Sequence, residues 1–161
     1  MYRIIISACL CLSLIAVCRP SWGFDGMDIA TIKKMAEAGN PDAQSKLGVL
    51  YSTGFGMKKD KQEAVKWYRK SAEQGDPVGQ WNLAFMYVKG EGVAQDFGEA
   101  RRLFRKSAEG GFANAQYDLG IMLLDGLGGI QDRNQALAWF RRSADQGYRD
   151  AAFMLKELER K

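Results

Sequence analysis

The sequence predicts an all-α fold: a right-handed αα-solenoid of helical hairpins, with three full 36-residue repeats between terminal half-repeats. Three observations predict it. The chain repeats itself at a fixed period, each period carries two helix-length segments, and glycines punctuate those segments at matching places.

The period is read directly from aligned residues. Gly39, Gly75, Gly111 and Gly147 stand 36 apart, and so do Ala36, Ala72, Ala108 and Ala144. Three blocks align without a gap: Asp42 to Pro77, Val78 to Ala113 and Asn114 to Arg149. Ten of the 36 columns are identical in all three, those of Gln44, Leu47, Gly54, Gly56, Asp60, Ala64, Arg69, Ser71, Ala72 and Gly75. A capping segment, 24–41, precedes the blocks and another, 150–161, follows them. Ile29, Ile32, Met35 and Ala36 give the first an apolar face; Ala151, Met154, Leu155 and Leu158 do the same for the second. About eight helices are expected, the first over Met27 to Ala38. A globular bundle of the same helices is the rival, and a constant period argues against it.

Each block divides into two helices. The second opens on Asp60, Asp96 or Asp132, good N-caps followed three residues later by Glu63, Glu99 or Gln135 in a capping-box pattern. Ala64, Trp67, Tyr68, Ser71 and Ala72 then mark one face of an amphipathic helix. Lys66, Lys70, Arg101, Arg102 and Arg142 lie off that stripe and are expected to face water. Gly75, Gly111 and Gly147 end these helices, where a left-handed residue costs glycine least. The first helix opens on Asn40-Pro41 or Asp76-Pro77, a cap followed by proline at the first helical position. Leu47, Leu83 and Leu119 recur on its inner side, followed by Gly48, Ala84 and Gly120, which imply close approach of the paired helix.

The leading residues read as a targeting segment. Ile4 to Val17 is an unbroken run of apolar and small residues, bounded by Cys18, Arg19 and Pro20. A bilayer span needs about 20 residues and a secretory signal core about 7–15. Ser21-Trp22-Gly23 places small residues for cleavage after Gly23, so 1–23 is expected to be a signal peptide and the location periplasmic or secreted. A retained anchor and lipidation at Cys18 are the alternatives. Cleavage removes Cys9, Cys11 and Cys18, and the chain has no histidine. The remaining 138 residues carry 21 basic against 19 acidic side chains. That balance calls for neither nucleic acid nor an anionic membrane surface, and no stable membrane insertion is expected after cleavage.

The string Ala43-Gln44, Leu47-Gly48, Leu50-Tyr51, Gly54-x-Gly56, Asp60, Ala64, Trp67-Tyr68, Ala72, Gly75 resembles the Sel1-like repeat. That family is related to the tetratricopeptide repeat, with a longer turn between its helices. The resemblance covers nearly the whole mature chain. It departs at Gly129, where Met57 and Val93 place an apolar residue, so that either the third turn is looser or Ile130 fills that place, and at Gly98, which weakens the start of a helix.

Chemistry is thinly provided. Without histidine or mature cysteine there is no imidazole base, no thiolate and no usual zinc ligand set, so no metal, cofactor or catalytic residue is expected. Asp60, Asp96 and Asp132 recur as caps, and Gly54-x-Gly56 lacks the lysine of a phosphate loop. Ser71, Ser107 and Ser143 lie on the packed face with no base beside them. Arg69, Arg105 and Arg141 are placed to tie one repeat to its neighbour. Cysteine-rich exported Sel1-like proteins have been linked to β-lactam binding, and this chain lacks their disulfides.

The resemblance implies binding of another protein or peptide. In related solenoids the first helices line the concave side, where varying columns are free to recognise a partner. Those columns are Ser45, Trp81, Tyr117 and Phe153, and Val49, Phe85 and Ile121, stacked four residues apart. Trp81 and Tyr117 have the profile of interface anchors. Core packing is the competing role for Phe85 and Ile121. Three functions follow: a periplasmic adaptor or regulator, an immunity-type inhibitor of a secreted toxin, or a cell-wall enzyme or glycan-binding module.

Overall fold

The computed structural model describes residues 28–160. Among them eight helices follow one another: α1 (Ile29–Glu37), α2 (Pro41–Thr53), α3 (Lys61–Glu73), α4 (Pro77–Lys89), α5 (Phe97–Glu109), α6 (Ala113–Asp125), α7 (Arg133–Asp145) and α8 (Arg149–Glu159). The expected signal peptide, its cleavage site and Lys161 lie outside the described residues. Each helix packs on the next, and α2 also packs directly on α4. The even-numbered first helices thus form one layer and the odd-numbered second helices the other. This is the expected αα-solenoid.

Local chemistry explains where each helix begins. Asn40 Oδ1 accepts from the Ala43 N–H at 2.9 Å and Asp76 Oδ2 from that of Gly79 at 2.7 Å, each ahead of a proline at the first position. Asp60, Asp96 and Asp132 accept from the N–H of Glu63, Glu99 and Gln135, all at 2.9 Å. Such caps are worth about 1 kcal/mol each. The reciprocal half of the capping box does not form. The N–H groups of Asp60, Asp96 and Asp132 donate instead to the carbonyls of Tyr51, Tyr87 and Leu123, at 2.8, 3.1 and 2.9 Å. With that donor satisfied, Glu63 and Glu99 turn to Lys66 and Arg102.

Two ladders join the layers. Ser71, Ser107 and Ser143 are fully buried, and their hydroxyls donate to the carbonyls of Pro41, Pro77 and Ala113 at 2.9, 2.6 and 2.8 Å. Gln44, Gln80 and Gln116 donate to the carbonyls of Ala36, Ala72 and Ala108, satisfying acceptors near the end of the preceding helix. Identity of these columns therefore reports hydrogen bonding inside the scaffold. Two of the three recurring arginines also bridge repeats: Arg69 donates to the Tyr87 hydroxyl at 3.2 Å and Arg141 to Glu159 at 3.0 Å.

Glycines set the packing distances. A Cβ on Gly48 or Gly120 would stand 2.5 Å from the ring of Tyr68 or Phe140, so the expected close approach is real. The second glycine of each turn, Gly56, Gly92 or Gly128, has φ of +68°, +71° or +69°. A Cβ there would overlap the Ile29 side chain, the Lys61 carbonyl or the Phe97 carbonyl respectively. Each contact lies on the second helix of the preceding hairpin, so this glycine governs how closely hairpins stack.

One of the two expectations for the third turn fails. Ile130 does not fill the place left by Gly129; it is 87% exposed. Arg101 takes that space instead. Its Nη2 donates to the Ile130 carbonyl at 2.9 Å, and its guanidinium lies where a side chain on Gly129 would go. Arg101 is therefore half-buried, while Lys66, Lys70, Arg102 and Arg142 face water. Lys70 and Arg142 also arch over the rings of Trp67 and Trp139, at 4.0 and 4.5 Å.

Candidate functional site: the inner face of the first helices

The first helices position an aromatic cluster where α4, α6 and the start of α8 meet. Trp81 packs edge-on against Phe85 (centroids 4.8 Å apart) on its own helix, and against Phe112 (5.5 Å) at the start of α6. Phe85 reaches inward to Phe104 at 5.3 Å. Tyr117 lies 5.2 Å from Tyr148 and 5.6 Å from Phe140. The Trp81 indole N–H donates to Asp118 Oδ2 at 2.7 Å, bridging α4 to α6.

The seven predicted residues fall into three groups. Ser45 and Tyr117 are buried, at 3% and 7% exposure, and offer a partner little surface. Val49, Trp81, Phe85 and Ile121 are half-buried against the core. Phe153 is 64% exposed. Tyr117 and Phe153 share a column, but Tyr117 is covered by Tyr148 and Phe140.

Asp118 is the residue that the sequence argument missed. Its column also holds Lys46, Asn82 and Met154, so nothing repeats there. Burial pushes its carboxyl up to about 7, a rise partly offset by the Trp81 hydrogen bond. Burial is also the main cause that raises the Tyr117 and Tyr148 hydroxyls to about 12, with help from the carboxylates of Asp118 and Asp150. An acid raised in the folded state holds a proton that the unfolded chain has lost. Stability therefore falls as pH climbs from the ordinary aspartate value near 3.8 to about 7, and then levels off. Asp118→Asn, which keeps an acceptor for Trp81, is expected to remove that loss. Urea melts at about pH 5 and about pH 8 should differ by about 1–2 kcal/mol for the native chain, allowing for partial exposure, and by much less for the variant. An unchanged pH dependence would show that Asp118 ionises normally.

Among the described residues, no group of three or more histidine, cysteine, aspartate or glutamate side chains is placed to hold a metal ion, and no helix is long and apolar enough to cross a membrane.

The geometry can be set beside known proteins. A family model described as the Sel1 repeat matches three times, at residues 41–76, 77–112 and 113–148. This chain belongs to the Sel1 repeat family. Sel1 repeats generally form non-catalytic scaffolds that mediate protein binding. Among solved structures, the chain is similar to c5321, a protective antigen present in uropathogenic Escherichia coli strains, at 43% identity and a TM-score of 0.76 over 80% of this chain and 28% of that one. It is similar to a Sel1 repeat protein from Oxalobacter formigenes at 37% identity and a TM-score of 0.71, covering 73% of this chain and 49% of the other. Helicobacter pylori cysteine rich protein B shares the fold, with 21% identity and a TM-score of 0.63. Among curated proteins, the sel1-like repeat-containing protein R815 of Acanthamoeba polyphaga mimivirus is 44% identical over 45 residues, which is 28% of this chain and 8% of that protein. This Sel1 repeat chain thus spans half or less of the first two structural relatives and a small part of the viral one.

Proposed function

We propose that this Sel1 repeat chain is a non-catalytic adaptor or regulator of the bacterial periplasm that binds a partner protein through the inner face of its first helices. The observation that carries the reading is the division of the molecule. The recurring columns are spent on caps, ladders and core, whereas Val49, Trp81, Phe85, Ile121 and Phe153 vary, share one layer and stay at least partly open. Apolar and aromatic side chains at that mixture of burial and access are the usual anchors of an interface. The apolar run from Ile4 to Val17 supports export.

The test is a capture experiment. Tagged native chain and an Ile121→Ser, Phe153→Ser double variant, shown folded by circular dichroism melts, are expressed with the full leading sequence, and bound periplasmic proteins are identified by mass spectrometry. One partner held by the native chain and lost from the variant is the expected result. Equal capture by both would move recognition off this face. Retention of the chain in the cytoplasm would overturn the location. A captured toxin would turn the adaptor into an immunity-type inhibitor.

A further inference from the structure

This inference rests on the inner-face reading and adds the chemistry that the face selects. The capping position of the first helices changes character along the array. Asn40 and Asp76 cap α2 and α4, but the same column holds Phe112 and Tyr148, and α6 and α8 start without a side-chain cap. Giving up such a cap costs stability. What replaces it is aromatic surface on both sides of one carboxylate: Phe112 against Trp81, Tyr148 against Tyr117, and Asp118 hydrogen-bonded to the Trp81 indole.

Asp118 is not neutralised by a neighbour. Among the described residues no lysine or arginine forms an ion pair with it. α6 carries Asp118 and Asp125 and no basic residue, while α8 opens on the pair Arg149 and Asp150. In the other layer α3, α5 and α7 each carry two more basic than acidic residues. In the first-helix layer the excess of acid is confined to α6 and α8: α2 balances Asp42 with Lys46, and Lys89 is the one charged residue of α4.

We propose that this aromatic and carboxylate patch, where α4, α6 and α8 meet, seats a lysine or arginine side chain from a basic segment of the partner protein. Ring faces attract a cation, and a partly desolvated carboxylate supplies a charge-assisted acceptor. A cation arriving beside Asp118 favours its ionised form. Trp81 from α4 donates to it and Tyr117 and Tyr148 lie beside it; the cations of the neighbourhood, Lys89 over the Phe85 ring at 6.0 Å and Arg149 next to Asp150, form no ion pair with it. Binding therefore releases a proton, and affinity rises with pH through neutrality.

The Trp81 indole N–H is a direct reporter, because it donates to Asp118. The probe is a short acetylated, amidated arginine–glycine peptide, with its glutamate–glycine counterpart as control, titrated into nitrogen-labelled chain at low salt. Trp81→Phe assigns the indole signal. Saturable shifts of that signal by the arginine peptide alone are expected, with severalfold tighter binding at about pH 8 than at about pH 6. Asp118→Asn should weaken binding about tenfold and remove its pH dependence, while Asp145→Asn on α7 should change neither. Tyr148→Ala, which leaves every charge in place, should weaken it severalfold. Equal binding by native and Asp118→Asn chains, or a silent indole, overturns the proposal even if a partner is still captured through Ile121 and Phe153. Arginine-peptide binding that follows Asp118, combined with capture unaffected by the Ile121 and Phe153 changes, sinks the wider face and leaves this site standing.

Discussion

Gly128→Ala is expected to lower the unfolding free energy by about 2–5 kcal/mol in urea melts, whereas Gly111→Ala costs about 1 kcal/mol. Both glycines hold positive φ, +69° and +89°, so both substitutions bear the left-handed strain of an L-residue. Only Gly128 meets a neighbour. Its Cβ would overlap the carbonyl of Phe97, and a carbonyl at a helix start cannot swing aside as a side-chain end can. At Gly111 nothing lies within 4 Å of the new methyl group. The difference between the two variants therefore isolates the stacking of one hairpin on the last. In an array held by nearest-neighbour interfaces that loss is felt by the whole C-terminal half. Equal losses would mean that the turn glycines serve backbone conformation alone.

Phe140→Ala should cost about 3–5 kcal/mol, and Phe104→Ala measurably less. Both rings occupy the same column and both are buried, at 0% and 2% exposure. The ring of Phe140 faces Gly120, which has no side chain to relax into the space left behind. Phe104 has better-supplied surroundings. An aromatic neighbour is common to both, Phe85 at 5.3 Å and Tyr117 at 5.6 Å, but Ala84 stands in the glycine's column beside Phe104 and adds a methyl group to the wall. The cost of a cavity depends on how far its walls collapse, so the richer wall predicts the smaller loss. A double variant, Phe140→Ala with Gly120→Ala, should recover part of the difference, since the new methyl group enters the cavity. Identical losses at Phe104 and Phe140 would contradict this packing account.

The scaffold was legible because its determinants are local and recur. Asp60, Asp96 and Asp132 cap within three residues of themselves, and Gly75, Gly111 and Gly147 turn the chain by their own conformation. The turn with Gly129 was misread because its partner, Arg101, is 28 residues away in sequence and on the preceding hairpin. The candidate site was harder for the same reason. Trp81 and Asp118 meet across neighbouring repeats, in columns that do not repeat, so alignment of the blocks erases the pair. Burial also depends on what covers a residue. Tyr117 and Phe153 are equivalent by column, yet one is closed by Tyr148 and Phe140 and the other is open. One signal was present in the sequence. The switch from Asn40 and Asp76 to Phe112 and Tyr148 exchanges a helix cap for an aromatic ring, and it marks the site.

A partner bound on the first-helix layer can be trapped where it lies. The most direct measurement places a photo-reactive phenylalanine derivative at Ile121 or Phe153 on that layer, and at Lys66 or Arg102 on the other, in full-length chain made by living cells. Irradiation should yield one shared cross-linked partner from Ile121 and Phe153 and none from Lys66 and Arg102. Cross-links from Lys66 and Arg102 alone would contradict the account and assign recognition to the basic outer helices.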